Sequence, residues 1–392
     1  MYKFSFNKIL GLMLAISVFL VHYYAGVDTN SILAIIILML FLVMINQVYP
    51  NESLVLHVLK INYIPIFYFL IFVLSPFLGN LVNNGTFYDN NISLLEAPFR
   101  VSLLLLLLMT AKLNNNNLFW DNFLKLFVFV YLYLVLGQVL TFLPINITNT
   151  SGVFVLFGAV YLHINSRSNL FKIVLFVFTL YFLYFIMVSR TQVIGYFVFH
   201  SYMLLSNRIP PVLKNRLLML LTISFLFGIY LFINIDHSSN ITGLMNHITS
   251  GRGAIWEHYI NYTLESSSFF GLGHGRSEHV MNIGNYYTGQ MIVLKDAMIA
   301  GGVHNSFIYM FVTRGIFGVV FMLLFINYLL KKPDIFRNDF NVAMFLVAAI
   351  MMFATGQSTL GGLTVEALLM LIALTIPYRR YEKIRRLHHK DL

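Results

Sequence analysis

The chain consists largely of apolar runs of about twenty residues, and this feature restricts it to one class of fold. A helix needs about 20 apolar residues to cross the hydrocarbon core of a bilayer. Lipid offers no hydrogen-bond partner to an open backbone, and the alternating pattern of barrel strands is absent from the sequence. The sequence therefore predicts an all-α polytopic membrane protein with twelve transmembrane helices, near 9–26, 30–48, 61–80, 97–112, 122–143, 151–165, 170–188, 191–206, 217–234, 305–330, 341–357 and 362–377.

Composition excludes several other classes of protein. With 59% apolar and only 10% charged residues, the chain is not an ordinary soluble globule. The formal net charge of +10 arises mainly from cytoplasmic loops and a basic tail, so nucleic acid is not an expected partner. The sequence contains no cysteine, which rules out disulfides, thiol catalysis and cysteine metal sites. No cofactor is expected.

The distribution of Lys and Arg predicts the topology. These residues resist translocation and collect in cytoplasmic loops. A cytoplasmic N-terminus places nineteen of the 25 cations inside. Helices 1–9 then occupy 1–234, a large periplasmic loop with short interfacial helices occupies 235–303, helices 10–12 occupy 304–377, and a basic cytoplasmic tail occupies 378–392. The loop is long enough to expect local folding or function.

Six cations do not follow this rule. They are Arg100, Arg190, Arg252, Arg276, Lys295 and Arg314. A cation on the outer side or within the bilayer is costly and usually meets an anion there. We expect that anion to be a lipid-linked diphosphate. Arg100, just inside the fourth span, is the weakest candidate, because its side chain is expected to extend toward the interface.

The stretch 249–258 in the large loop predicts a helix that starts beside Arg252. Ser250 or Gly251 is a suitable cap, and the free N–H groups of a helix start favour phosphate. Trp256 would give this helix an apolar face for the membrane surface. The alternative is an interfacial helix with a solvated Arg252. Two polar residues farther along the helix are further candidates for substrate binding: Glu257 and His258.

Three more positions have the chemistry of a phosphate or catalytic site. Arg190 lies in a short outer turn, where its guanidinium can bind two phosphate oxygens. His304 precedes the tenth span and has the side chain best suited to a general base. Arg314 lies about 15 Å into that span. If it were structural it would need a buried acidic partner, for which Glu366 is the main candidate.

The glycine-rich stretch 270–276 ends in Arg276, another candidate for diphosphate binding. Its glycines would let the backbone approach a ligand closely, although a simple turn between two loop helices explains them equally well. The histidines and carboxylates of the loop lack HExxH or DxD spacing, so no metal site is predicted. A metal-dependent mechanism is the less favoured alternative.

Three features together resemble the superfamily of O-antigen polymerases and O-antigen ligases. They are the turn Ser189-Arg190, the stretch from Gly251 to Trp256 in one large outer loop, and His304-Asn305 followed by Gly315-x-x-Gly318. The resemblance covers roughly the C-terminal half of the chain. Family members are not expected to have an arginine where this chain has Arg314, so its role rests on the membrane argument alone.

The resemblance implies a GT-C-like glycosyltransferase of the bacterial inner membrane, with its active site facing the periplasm. Its donor and acceptor would be oligosaccharides linked to undecaprenyl diphosphate. Arg190 and Arg252 would bind phosphate, and His304 would be catalytic. A polymerase is favoured over a ligase, and a chain-length regulator would fit as a partner. The alternative from another class is a flippase of lipid-linked oligosaccharides.

Overall fold

The described part of the chain consists of helices and short segments between them. The computed structural model describes residues 6–23, 53–84, 91–112, 116–139, 149–186, 190–206, 208–210, 252–273, 305–336, 338–354 and 364–378. These residues contain no strand. Their helices are α1 (Phe6–Tyr23), α2 (Ser53–Asn84), α3 (Asn91–Lys112), α4 (Asn116–Val139), α5 (Asn149–Asn165), α6 (Asn169–Tyr181, continued by a π-helical turn at Phe182–Ile186), α7 (Arg190–Leu205), α8 (Arg252–Ser267), α9 (Ser306–Leu330), α10 (Pro333–Phe336), α11 (Asp339–Ala354) and α12 (Val365–Thr375).

The helices are long and apolar enough for a membrane protein. Among the described residues, four helices meet the length and composition needed to cross a bilayer: Leu56–Asn83, Asn116–Gly137, Asn169–Ile186 and Ser306–Leu330. Shorter apolar helices lie at Gly152–Asn165, Asp339–Phe353 and Val365–Thr375. The predicted spans at 30–48 and 217–234 lie outside the described residues.

Several helices extend beyond the apolar runs from which they were predicted. α2 begins at Ser53 rather than at residue 61, and α3 begins at Asn91 rather than at residue 97. Hydropathy marks only the part of a helix that is suited to lipid, whereas the backbone hydrogen bonds continue through polar residues. The extension of α3 matters for the site, because it places Arg100 about 14 Å from the beginning of the helix at 1.5 Å per residue.

α2 and α9 form a closely packed antiparallel pair. The rings of Phe69 and Phe325 lie 4.9 Å apart, and those of Tyr68 and Phe321 lie 6.0 Å apart. Pro76 lies within α2 and has no N–H, so the carbonyl of Phe72 loses its usual helical donor. The hydroxyl of Ser75 donates to that carbonyl at 2.7 Å. This defect in α2 lies opposite the middle of α9.

α9 is interrupted at Gly315, where φ is 62° and ψ is −170°. We call residues 268–273, which follow α8, the inserted segment, because their backbone completes the broken helix. The amides of Ile316 and Phe317 each donate at 3.0 Å to carbonyls of the inserted segment, and Leu272 N donates to Val312 O at 2.7 Å. Backbone groups inside a membrane need partners within the protein. The inserted segment supplies them.

The two ends of the helix bundle differ in the basic residues that lie there. Lys112 ends α3, while Lys331 and Lys332 follow α9, and Lys112 is close enough to Lys332 to affect it electrostatically. We call this the lysine end. The opposite end, where α9 begins and α11 ends, is the arginine end, after the arginines that begin α7 and α8. The positions of these three lysines agree with the predicted topology.

α12 is held at the lysine end through its final carbonyls. The last carbonyls of a helix have no partner within it. Trp120 Nε1 donates to Ile376 O at 2.8 Å, and the Asn341 amide donates to both Ala373 O and Ile376 O at 2.8 Å. These bonds join α12 to α4 and α11 and keep a short, fully buried helix in register.

Candidate functional site

Arg190 is the first residue of α7, which packs antiparallel to α11. The rings of Phe199 and Phe340 lie 6.3 Å apart, and a Cβ on Gly195 would lie 3.8 Å from Val347 Cγ1. The residue nearer to the start of α7, Gly195, thus contacts the residue nearer to the end of α11, Val347, so the two helices run in opposite directions. This register places the backbone of Arg190 beside the last turns of α11, at the arginine end.

Arg252 is the first residue of α8, as the sequence predicts. Trp256, one turn farther, packs edge to face against Phe353 in the last turn of α11, with ring centroids 5.4 Å apart. The expected membrane-surface role of Trp256 is wrong, because this ring is buried against protein. Both arginine-led helix starts thus approach the end of the same helix. Helix starts offer free N–H groups and a positive dipole end to an anion.

His304 lies outside the described residues, directly before Asn305. Asn305 caps α9, since its Oδ1 accepts from Phe307 N at 3.0 Å and from Ile308 N at 3.1 Å. Because α9 and α11 run in opposite directions, this cap lies at the arginine end. The start of α9 therefore lies at the same end as the starts of α7 and α8.

The remaining predicted residues are described only in part. The side chains of Arg190 and Arg252 lie outside the described part of the structure, as do those of Glu257 and His258, whose backbones belong to the second turn of α8. Arg276 and Lys295 lie wholly outside it. Their predicted roles stay predictions.

Arg314 is the best-defined of the predicted residues, and it is only 1% exposed. Its Nε donates to Phe72 O at 3.2 Å, its Nη1 donates to Thr313 Oγ1 at 2.8 Å, and its guanidinium carbon lies 4.7 Å from the centroid of the Phe72 ring. Arg314 therefore donates a hydrogen bond to the carbonyl that Pro76 leaves without a helical donor. Glu366, the candidate partner if Arg314 were structural, does not pair with it, since no carboxylate of the described residues lies at ion-pair distance from Arg314.

Arg100 differs most from its sequence-based expectation. Its side chain is only 5% exposed and does not extend to the interface. It lies close enough to Arg314 and to Tyr309 to interact electrostatically with both. The early start of α3 explains the difference, because Arg100 lies in the middle of the helix rather than near its end. The apolar pattern of the sequence did not indicate that α3 begins early enough to bury Arg100.

The glycines of the inserted segment approach protein rather than open space. The side-chain amide of Asn83 in α2 donates to Gly271 O at 2.9 Å, and a Cβ on Gly79 would lie 2.9 Å from the same carbonyl. Gly271 and Gly273 make close backbone approaches, but to protein, and the predicted approach to a ligand stays a prediction. What they approach is α2 and α9.

A buried histidine pair is a feature that sequence reasoning did not find. The rings of His163 in α5 and His200 in α7 lie 4.2 Å apart, and each has a buried nitrogen without a hydrogen-bond partner. No group of three or more metal-ligating side chains occurs in the described part of the chain. The pair comes from two separate helices, so no local motif marks it.

No protein-family model matches the chain, and no curated protein matches it.

Proposed function

We propose that this chain is a membrane glycosyltransferase of the O-antigen polymerase type. It would transfer a glycan from undecaprenyl diphosphate to a second lipid-linked repeat unit at the periplasmic face of the inner membrane. The observation that supports this most is the convergence of three positions at the arginine end: the helix starts at Arg190 and Arg252, and the capped start of α9 directly after His304.

The proposed reaction is a displacement at the anomeric carbon of the donor sugar. A hydroxyl of the acceptor unit forms the new C–O bond, and His304 accepts its proton. The bond to the diphosphate breaks, and undecaprenyl diphosphate leaves with the electron pair. Arg190 and Arg252 lie where that negative charge grows, with Arg276, Glu257 and His258 as further substrate contacts. Cations that meet charge developing in the transition state accelerate the chemical step.

Complementation of a strain that lacks its own copy tests the proposal. His304→Ala or Arg252→Ala should reduce long-chain polysaccharide about a hundredfold, which corresponds to about 3 kcal/mol for one lost transition-state contact. Arg208→Gln is the matched control, because Arg208 is an exposed cation beyond the other end of α7. Normal long chains from the His304 and Arg252 variants, at normal expression, would reject the assignment.

A ligase that joins the glycan to lipid A-core would use the same groups. The two enzymes differ in what a deletion strain displays. Without the polymerase, core lipid still carries a single repeat unit, whereas without the ligase it carries none.

A flippase is the candidate from another class, and the interrupted helix α9 favours it, because transporters place broken helices near the middle of the membrane. In α9, however, the inserted segment fills the break with protein backbone. A flippase deletion also removes surface repeat units, but it does so by leaving the lipid-linked unit on the cytoplasmic face. Protection of that unit from an external glycosidase in intact spheroplasts identifies a flippase.

A further inference from the structure

Four backbone hydrogen bonds join the inserted segment to α9. Two amides of the inserted segment donate to carbonyls of α9, and two amides of α9 donate to carbonyls of the inserted segment, over distances of 2.7–3.1 Å. The bonds run from Leu272 N to Val312 O, from Gly273 N to Thr313 O, from Ile316 N to Ser268 O and from Phe317 N to Phe269 O. Each of the two chain segments therefore contributes two donors and two acceptors.

The same eight groups also match the hydrogen-bond rule of two uninterrupted helices. An α-helix bonds each amide to the carbonyl four residues earlier. Under this rule the pairs are Ile316 N with Val312 O and Phe317 N with Thr313 O in α9, and Leu272 N with Ser268 O and Gly273 N with Phe269 O in an extended α8. We call the observed bonds the linked arrangement and these bonds the separate arrangement. Both contain four bonds, so an exchange between them leaves none of the eight groups unpaired.

Glycines occupy the positions where the two arrangements need different backbone conformations. All three described glycines with positive φ lie at this junction: Gly271 at 74°, Gly273 at 81° and Gly315 at 62°. Positive φ disfavours a residue with a side chain, whereas glycine adopts both positive and helical φ. These three residues are therefore compatible with both arrangements, and alanine at any of them is compatible only with the separate one.

The junction lies at a depth where backbone groups need partners within the protein. Gly315 is nine residues beyond Ser306, about 14 Å along the axis of α9, and α9 is long and apolar enough to cross a bilayer. Lipid supplies no substitute for a lost backbone hydrogen bond. Simple withdrawal of the inserted segment would break four bonds, whereas the exchange replaces each of them within its own helix.

The side chain of Asn83 in α2 favours the linked arrangement. Its Nδ2 donates to Gly79 O at 2.8 Å and to Gly271 O at 2.9 Å. The first bond lies within α2 and does not depend on the inserted segment, whereas the second joins α2 to it. Asn83 therefore loses one bond when the inserted segment leaves, and this bond is not among the four that are exchanged.

We propose that the junction of α8 and α9 is a two-state switch, in which the linked arrangement is the main state and the separate arrangement is a minor one. In the separate state the inserted segment is helical and leaves α9, which becomes continuous. The switch goes beyond the proposed function and does not depend on it.

The switch changes the position of Arg252. Trp256 stays packed against Phe353, with ring centroids 5.4 Å apart, and serves as the pivot of α8. The exchange therefore tilts α8 and moves Arg252, its first residue, relative to the start of α9. A ligand that binds Arg252 more tightly in one state shifts the equilibrium toward that state.

The distance between two spin labels tests the switch in the full-length protein in nanodiscs. The chain has no cysteine, so Tyr63→Cys and Glu265→Cys provide the only two labelling sites. Both residues are exposed, and Tyr63 is sixteen residues, about 24 Å, before Gly79, which approaches Gly271 closely. Double electron–electron resonance should show two distances, a major one for the linked state and a minor one for the separate state.

Two variants should change these populations. Asn83→Ala should raise the ratio of separate to linked protein about fivefold, because it removes one bond from the linked state only. Gly315→Ala should make the separate state the main one. The controls are Asn122→Ala, since Asn122 donates to Leu118 O within its own helix, and Gly195→Ala, whose Cβ has room. Neither control should change the ratio.

Asn83→Ala decides the test if Gly315→Ala does not fold. A single distance that is the same in the wild type and in folded Asn83→Ala would overturn the switch. A second label pair, Tyr63→Cys with Arg252→Cys, follows the start of α8. It should show two distances in the same proportions as the first pair. One fixed distance there, beside two for the first pair, would overturn the movement of Arg252.

Discussion

Gly271 and Gly315 meet backbone to backbone. A Cβ on Gly271 would lie 2.3 Å from Gly315 N, and a Cβ on Gly315 would lie 2.4 Å from Gly271 N. Both residues also have positive φ, 74° and 62°, a region that disfavours any side chain. The break in α9 and the turn after α8 therefore depend on one another.

This contact predicts that neither glycine tolerates a methyl group. Gly271→Ala and Gly315→Ala should each lower the free energy of unfolding by about 2–4 kcal/mol, from backbone strain and overlap together. Gly195→Ala is the control, because its Cβ would meet its nearest neighbour, Leu156 Cδ1, at an ordinary 3.5 Å. Thermal unfolding in detergent measures the three variants. Equal stability of Gly271→Ala and Gly195→Ala would contradict the inserted-segment arrangement.

The bond from Arg314 to Phe72 O predicts a coupling between Arg314 and Pro76. Pro76→Ala restores the N–H that a helix normally offers to this carbonyl. The bond from the Arg314 guanidinium then contributes less to stability. Arg314→Gln should cost about 1–3 kcal/mol less stability in the Pro76→Ala background than in the wild type. A double-mutant cycle measured by denaturation provides this difference. Additive effects of the two substitutions would show that the bond from Arg314 does not compensate for the N–H that is missing at Pro76.

Lys332 predicts a pH dependence at the lysine end. Its Nζ donates to Asn62 Oδ1 at the kink of α2. The pKa of Lys332 is lowered to about 8, first by burial and then by nearby Lys112, while Asp334 opposes the shift. Because the folded pKa is below the unfolded value, the cost to the folded state is fully present below pH 8. That cost disappears as the pH rises toward the unfolded pKa.

Chemical labelling measures this pKa. The rate of Lys332 modification by an amine reagent, followed by mass spectrometry, should have its midpoint near pH 8. Lys112→Gln should move the midpoint upward, since it removes a neighbouring positive charge. A midpoint near the ordinary lysine value of 10.5 would contradict the burial of Lys332.

The helical fold was predictable from the sequence, whereas its interruptions were not. Apolar runs of sufficient length indicated helices at the described positions, because lipid excludes most other backbone structures. The break at Gly315 depends on hydrogen bonds to the inserted segment, more than forty residues earlier in the chain. Neither hydropathy nor periodicity records which distant backbone completes a helix.

The candidate site was likewise predictable in part: a local helix start was predicted, whereas tertiary contacts were not. The loop helix beginning at Arg252 followed from its capping residues, and that prediction is confirmed. The burial of Arg100 and the partner of Arg314 were not predicted. Both depend on tertiary contacts: the length of α3 within the bundle, and a carbonyl that Pro76 leaves open in α2.

Cysteine labelling tests the central claim, that Arg190 and Arg252 share one face of the membrane, away from the lysine end. The chain has no cysteine, so Arg190→Cys, Arg252→Cys and Lys331→Cys each carry one unique thiol. A membrane-impermeant maleimide is applied to intact spheroplasts. We predict that positions 190 and 252 label from outside, and that position 331 labels only after permeabilisation. Labelling of 190 and 252 from opposite faces would contradict the account.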